Sequence, residues 1–197
     1  MSIWSEAQKW EGSWWGTCQN TYGEEEKQLL YANRMGLQNF HNGKSPYNFD
    51  LQGKSVIDIG GGPCSILLKC VNVVGTVIDP LPLPEWVSER YKLADIKYIR
   101  GEGEVCLVNT GHFDEVWIYN VLQHTSDPEA IIKNAKKYGK IIRIFEWVDT
   151  VSNEGHPHIL TENKLNEWLG GEGKVEMLNG QANCSGRCYY GIFIGNK

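Results

Sequence analysis

The sequence has no apolar run approaching the ~20 residues that a membrane helix requires, so no spanning segment is expected. It has no excess of basic residues. The 19 Lys and Arg stand against 24 Asp and Glu, for a formal net charge of -5. Non-specific binding to nucleic acid or an anionic membrane rests on neutralising phosphates with Lys and Arg. This balance disfavours both, although a local basic patch is compatible with it. The N-terminus, Met1-Ser2-Ile3-Trp4-Ser5-Glu6, lacks the basic and apolar regions of a signal peptide, and a cytoplasmic location is expected. There is no internal repeat, low-complexity tract or long linker. The six cysteines are scattered, and Cys184 and Cys188, four apart, have no paired second half of a zinc motif. Reduced thiols, several of them buried, are expected in place of a metal site.

The composition that remains is ordinary for a globular protein, 41% hydrophobic and 22% charged. At 197 residues one domain with a sizeable core is expected. Residues 1–50 read as a helical N-terminal lid or appendage, and 51–197 as an α/β core. The first helix is expected from Trp4 to Trp15 and carries four tryptophans. The second begins near Asn20-Thr21, with Thr21 as N-cap and Glu24, Glu25 and Glu26 at the positive end of the helix dipole. It runs to Met35, and Gly36 stops it.

Short apolar runs predict strands at Ser55–Ile59, Val73–Ile78, Ile96–Ile99, Glu115–Tyr119 and Lys140–Glu146. Helices are predicted at Ser65–Val71, Glu85–Tyr91 and Asp127–Tyr138, the last with Pro128 at its first helical position. Most of the strands are continuously apolar, which requires cover on both faces. Strands alternating with helices give a doubly wound, mostly parallel sheet. A helix at Glu162–Leu169 follows. Strands near Lys174–Leu178 and Cys188–Gly195, separated by turn formers from Gly180 to Gly186, then add an antiparallel C-terminal pair and bring the sheet to seven strands.

The most informative stretch is Ser55-Val56-Ile57-Asp58-Ile59-Gly60-Gly61-Gly62-Pro63. A buried strand ends there in a turn whose backbone must come close to something. A second apolar run ends in Asp79, 21 residues after Asp58. Two cofactors compete for such a turn. A dinucleotide site calls for a third small residue in G-x-G-x-x-G/A, where Ser65 stands, and Pro63 sits inside the turn. A site for S-adenosylmethionine gives Asp58 a task, ordering the loop and meeting the methionine ammonium directly or through water.

The rest of the chain favours the second cofactor. Val56-Ile57-Asp58-Ile59-Gly60-Gly61-Gly62-Pro63 resembles the first motif of the class I S-adenosylmethionine-dependent methyltransferases, and Val77-Ile78-Asp79-Pro80 resembles their second. Arg100-Gly101-Glu102-Gly103-Glu104 stands where that family carries a Gly-Asp/Glu element. The stretch from Phe113 to His124, with Asp127-Pro128 beyond it, resembles the fourth strand and the turn after it. The resemblance covers residues 51–195 in order. It implies a cofactor site formed by Asp58, Gly60, Gly61, Gly62 and Pro63 around the methionine end. It further implies Asp79 on the two ribose hydroxyls, Pro80 and Leu81 as a floor for adenine, Gly101 and Glu102 near its amine, and Asn120 and Val121 beside the fourth strand. The product would be S-adenosylhomocysteine.

For the reacting end, His124 lies just past the fourth strand, and its pKa suits a base near neutral pH. It is also placed to cap the helix opening near Ser126 or simply to line the pocket. Glu146 ends the fifth strand, and His156 and His158 follow in the next loop. They are candidates to bind the acceptor, or with His124 a metal, although metal-dependent versions of the fold usually carry more carboxylates there. Trp14, Trp15 and Tyr22 are candidates for an aromatic wall beside a sulfonium, or simply pack the helices onto the sheet. The leading reading is a methyltransferase with a small-molecule acceptor, at O or N. Three alternatives stand beside it: a methyltransferase acting on RNA, a nucleotide or a protein, a non-catalytic cofactor-binding module, and a dinucleotide oxidoreductase. No Asn-Pro-Pro-Tyr-like signature follows the fourth strand. Asn120-Val121-Leu122-Gln123 is there instead.

Overall fold

Two helices, α1 (Ile3–Trp15) and α2 (Thr21–Arg34), precede a seven-stranded sheet. The computed structural model describes residues 3–41 and 46–195, and of Ile3 and Tyr22 only the backbone. The strands are β1 (Phe49–Ile59), β2 (Cys70–Asp79), β3 (Lys97–Arg100), β4 (Phe113–Tyr119), β5 (Gly139–Trp147), β6 (Lys174–Gln181) and β7 (Cys184–Ile194). Their order is β3-β2-β1-β4-β5-β7-β6. All neighbours from β3 to β5 are parallel, and β7 runs antiparallel to both β5 and β6. Three helices, α3 (Glu85–Leu93), α4 (Pro128–Tyr138) and α5 (Glu162–Leu169), complete the α/β order. Among the described residues no helix is long and apolar enough to cross a membrane.

The side-chain alternation of a strand explains why the central runs are apolar throughout. In β4, Val116 and Ile118 join one buried cluster while Trp117 and Tyr119 join the other, on the opposite face. Val56 and Ile57 of β1 divide in the same way. Helix α2 supplies Leu30, Tyr31 and Ala32 to the cluster of Trp117 and Tyr119, and α4 supplies Ile131, Ile132 and Ala135 to the cluster of Val116 and Ile118. Both faces of the sheet are therefore covered, as continuous apolar strands require.

Several expectations need correction. The helix expected at Ser65–Val71 is absent. Two 3-10 turns, Gly62–Cys64 and Ile66–Lys69, stand there, and β2 starts directly at Cys70. Pro63 brings no N–H. Ser65 between the turns is extended (φ -49°, ψ 142°), and its hydroxyl accepts from Leu67 N. β1 begins at Phe49 and not at 55, because its first half pairs with the start of β2 (Phe49 with Cys70, Asp50 with Val71) across an irregularity at Gln52-Gly53, both with positive φ. That half lacks a continuous apolar run, so only its pairing reveals it.

Thr21 is not the N-cap of α2. Asn20 holds that position without a side-chain cap, and Thr21 Oγ1 is buried with no partner among the described residues. Gly36 ends this helix as expected, at φ 76°. Two of the later helices carry side-chain caps. Asp127 accepts from Ala130 N ahead of Pro128, and Thr161 accepts from Lys164 N. The C-terminal hairpin turns tightly on Ala182 and Asn183, at φ 50° and 58°. All six cysteines are free, with Cys106 exposed.

Candidate functional site

The carboxyl ends of β1, β2, β3 and β4 converge on a cavity of about 410 Å³. The strand order reverses between β1 and β4, which is where open α/β sheets leave a crevice for ligands. The glycine turn closes its floor. Gly60 has φ 78°, donates to Ile78 O at 2.7 Å, and leaves no room for a side chain, since an added Cβ would lie 2.4 Å from Val121 Cγ2. A Cβ on Gly62 would meet only Asp79 Oδ2 at 3.8 Å and Trp15 Cζ2 at 4.0 Å.

Asp58 lies under this turn and not in the cavity. It is fully buried, and its Oδ2 accepts from Ser65 Oγ and Tyr119 Oη. Burial pushes its carboxyl up to about 7, against the pull of those two hydrogen bonds. Of the two tasks expected of Asp58, the one its contacts serve is ordering the loop. Gly61 wraps directly over it, so that a Cβ there would lie 2.6 Å from Oδ2.

Asp79, at the tip of β2, does line the cavity. Its Oδ2 accepts from Gly62 N and its Oδ1 from Leu81 N, each at 2.9 Å. Burial raises its carboxyl to about 6 despite these two bonds. Each oxygen keeps acceptor capacity beyond one backbone N–H. The carboxylate thus ties the glycine turn to the start of the next loop at the cavity wall.

The remaining cofactor candidates divide. Gly60, Gly61, Pro80, Leu81 and Glu102 line the cavity, as do Asn120 and Val121. Pro63 is buried but off the cavity, because it turns under the 3-10 segment. Gly101 is also off it. A Cβ there would run into Leu107 Cδ1 at 2.4 Å, and Gly103 lines the space in its place. Asn120 sits at φ 55°, with its N–H donating to Phe145 O at 2.8 Å.

The turn after β4 carries His124 to the cavity wall. Its Nδ1 lies 2.8 Å from Gly155 O and 2.8 Å from Glu11 Oε1, and its Nε2 lies 3.4 Å from Gln123 Nε2. Burial lowers its basicity, but the hydrogen bond and charge of Glu11 outweigh this and raise its pKa above the ordinary value. His156 also lines the cavity, 4.5 Å from His124 between ring centroids. Burial, followed by the charge of His124, lowers the pKa of His156. His124 does not cap the following helix. Ser126 is held by Glu104 Oε1 at 2.8 Å, and Asp127 provides the cap.

Glu146 and His158 stand outside the cavity, and both are corrections. Glu146 Oε1 accepts from Val121 N and Leu122 N at 3.0 Å each, so it holds the turn after β4 from behind. Burial raises its carboxyl to about 7 against these bonds. His158 Nε2 lies 2.8 Å from Thr125 O, where it braces the same segment. The apolar run of β5 gave Glu146 its place in the chain but not its direction.

Helix α1 roofs the site. Trp14 and Trp15 line the cavity, while the Tyr22 side chain lies outside the described residues. Trp10 stacks on Trp14 (centroids 5.8 Å apart, planes 3° apart) and presses on Gly155, where a Cβ would lie 2.6 Å from its ring. The far wall was not anticipated from sequence. One face of α2 presents Glu24, Lys27, Gln28 and Tyr31, opposite Trp147 and the tip of the β6–β7 hairpin. Their spacing of three, four and seven residues marks one helical face, but nothing in it says that the face borders a cavity. Gln28 Oε1 on this wall and Gln123 Oε1 in the turn after β4 are buried and lack partners among the described residues.

No family model matches the sequence, and no curated protein matches it. Solved structures do. A Burkholderia thailandensis 1,6-didemethyltoxoflavin-N1-methyltransferase, bound to 1,6-didemethyltoxoflavin and S-adenosylhomocysteine, is 11% identical, with a TM-score of 0.65 over 98% of this chain and 88% of that one. A SAM-dependent methyltransferase from Methanosarcina mazei is 14% identical, with a TM-score of 0.57 over 74% of this chain and 93% of that one. The CurJ carbon methyltransferase is 15% identical, with a TM-score of 0.58 over 74% of this chain. The chain spans about half of that protein's length, 49%. At such identities the likeness is one of fold. The chain has the class I methyltransferase fold.

Proposed function

We propose that the chain is an S-adenosylmethionine-dependent methyltransferase that transfers a methyl group to oxygen or nitrogen of a small-molecule acceptor. The observation that carries this reading is Asp79. It is a buried acid at the tip of β2 that lines the cavity, with both oxygens tied to the loops around it. The residues fit the nucleoside end of the cofactor. A Cβ on Gly62 would sit in ordinary contact between Asp79 Oδ2 and the Trp15 ring, and Pro80 and Leu81 offer an apolar floor. When bound there, S-adenosylmethionine would supply an electrophilic methyl group on a sulfonium.

The chain's own residues would do the rest. Asp79 would hold the ribose through two acceptors, and Glu102 would meet the adenine amine. The glycine turn and Asn120 would border the methionine end. Trp10 and Trp14 stand at the roof of the site, and alignment of two reactants in such a space supplies much of the rate of an in-line displacement. His124 would accept the acceptor's proton. The aromatic side chains of Tyr31 and Trp147 on the far wall support a small planar acceptor. A cavity of about 410 Å³ lies within the size of small-molecule pockets.

Titration calorimetry with S-adenosylmethionine, S-adenosylhomocysteine and NAD tests the reading. Both S-adenosyl compounds should bind and NAD should not. Asp79→Ala should weaken S-adenosylhomocysteine binding by ~10²-fold or more, the worth of two hydrogen bonds to a charged acceptor. Binding of NAD alone would overturn the proposal, and unchanged affinity in the variant would remove Asp79 from the site. Turnover on a panel of phenolic and heteroaromatic acceptors separates an enzyme from a binding module.

A further inference from the structure

We infer that Glu11, carried on helix α1, is the positioning residue of His124, so that the proton-accepting pair exists only while α1 is docked over the cavity. It follows that the acceptor's reacting atom is a hydroxyl or N–H that gives up a proton. This rests on the methyl-transfer reading above.

Four observations support it. First, His124 Nδ1 faces two oxygens, Glu11 Oε1 and Gly155 O, each at 2.8 Å. Neither can donate, so Nδ1 carries the proton and Nε2 is left with the lone pair in the neutral ring. Second, the Glu11 and His124 side chains are only 15% and 13% exposed, so water screens the pair little. A charge forming on the ring is met by a carboxylate already in place. Third, Glu11 reaches the ring because its neighbour Trp10 is seated on Gly155 and beside His156, at 5.7 Å between centroids. The same contacts that dock α1 deliver the carboxylate. Fourth, the charges around the ring leave Glu11 as the one acid that bonds to it. Glu146 of β5 also faces it but spends Oε1 on two backbone N–H groups. His156, in the loop after β5, is held toward its neutral form.

The step balances. The acceptor's oxygen or nitrogen bonds to the methyl carbon as the sulfonium C–S bond breaks, and that electron pair stays on sulfur. The proton of the acceptor passes to His124 Nε2, and the resulting imidazolium lies against the Glu11 carboxylate. The pair also ties docking to protonation. Because His124 is more basic in the folded protein, the hold on α1 is full below the unfolded value of ~6.5 and is lost as pH rises through the raised folded value.

Long-range 15N–1H NMR of the 15N-labelled full chain reads the five histidine rings without donor or acceptor. In the wild type, His124 should titrate above the ordinary value, with the neutral ring protonated at Nδ1. In Glu11→Gln it should titrate lower, while Gly155 O keeps the neutral ring protonated at Nδ1. Glu11→Asp should restore part of the lost basicity. Hydrogen exchange of α1 at pH 6 should speed by roughly tenfold or more in Glu11→Gln, the loss of one charge-assisted hydrogen bond. It should match the wild type once His124 is neutral. With any acceptor that turns over, Glu11→Gln should lower kcat and leave KM for S-adenosylmethionine unchanged. If His124 titrates as in the wild type and α1 stays equally protected in Glu11→Gln, the inference is wrong even though methyl transfer stands. If no S-adenosyl compound binds while the ring responds as expected, the functional reading fails and the pairing remains.

Discussion

Replacing Glu146 by glutamine should make the protein more stable at alkaline pH, and the structure gives the size of the effect. The side chain is fully buried, Oε1 accepts from Val121 N and Leu122 N, and Oε2 has no partner among the described residues. Its pKa rises from 4.5 to about 7 on folding, chiefly through burial. The sign follows from linkage: an acid with a raised folded value lends stability below its unfolded value of 4.5 and loses it as pH rises through about 7. At ~1.4 kcal/mol per tenfold change in acidity, that interval is worth about 3 kcal/mol. Glutamine keeps an oxygen for both N–H groups and does not titrate. Urea unfolding of both proteins, followed by tryptophan fluorescence, should place them close together at pH 5, with the variant ahead by about 2–3 kcal/mol at pH 8.5. Taking the difference at each pH cancels the other titrating groups. Glu146→Ala removes the acceptor from two buried N–H groups and should cost about 2–6 kcal/mol at either pH. A gap between Gln and wild type that is the same at both pH values, or a Gln variant as damaged as Ala, would refute the account of this carboxylate.

Two further outcomes follow from the same geometry. Gly60→Ala combines a left-handed φ of 78° with a Cβ 2.4 Å from Val121, and should cost about 2–5 kcal/mol from strain and overpacking together and abolish binding of S-adenosylhomocysteine. Gly53→Ala, with φ 82° but nothing within 4 Å, should show the backbone cost alone, about 1–2 kcal/mol, and equal losses at the two glycines would show that contact with Val121 is not what excludes a side chain at Gly60. Glu115 is buried and accepts from Arg143 through both oxygens, with Lys54 and Trp117 adding bonds, so that its carboxyl falls to about 2 although burial alone would raise it. Its contribution is present above the unfolded value of 4.5 and lost as pH falls through about 2. Glu115→Gln, which strands Arg143, should cost about 3–5 kcal/mol at pH 7, and a neutral result in thermal unfolding would mean that Arg143 finds another partner.

The sequence by itself determined the features that are local in the chain. Apolar runs of five or six residues separated by helix signals specify buried parallel strands. The three glycines that follow Asp58-Ile59 specify a tight turn, and Asp79 at the next strand end specifies an acid at the crevice. These are properties of consecutive residues, and the structure keeps them in the expected order. Strand pairing in space decided the rest. The first half of β1 exists because β2 lies beside it, and the expected helix after the glycine turn is missing because Ser65 answers to Asp58 and Leu67 in place of a helical backbone.

Direction is a tertiary property as well. Asp58 turned under the loop, Glu146 and His158 turned behind it, and Glu11 turned in to His124 from the far end of the chain. A carboxylate's chemistry depends on which donors it meets and how much water remains around it. Residue order leaves both open, and the packing of α1 and α2 over the carboxyl ends of the strands fixes them.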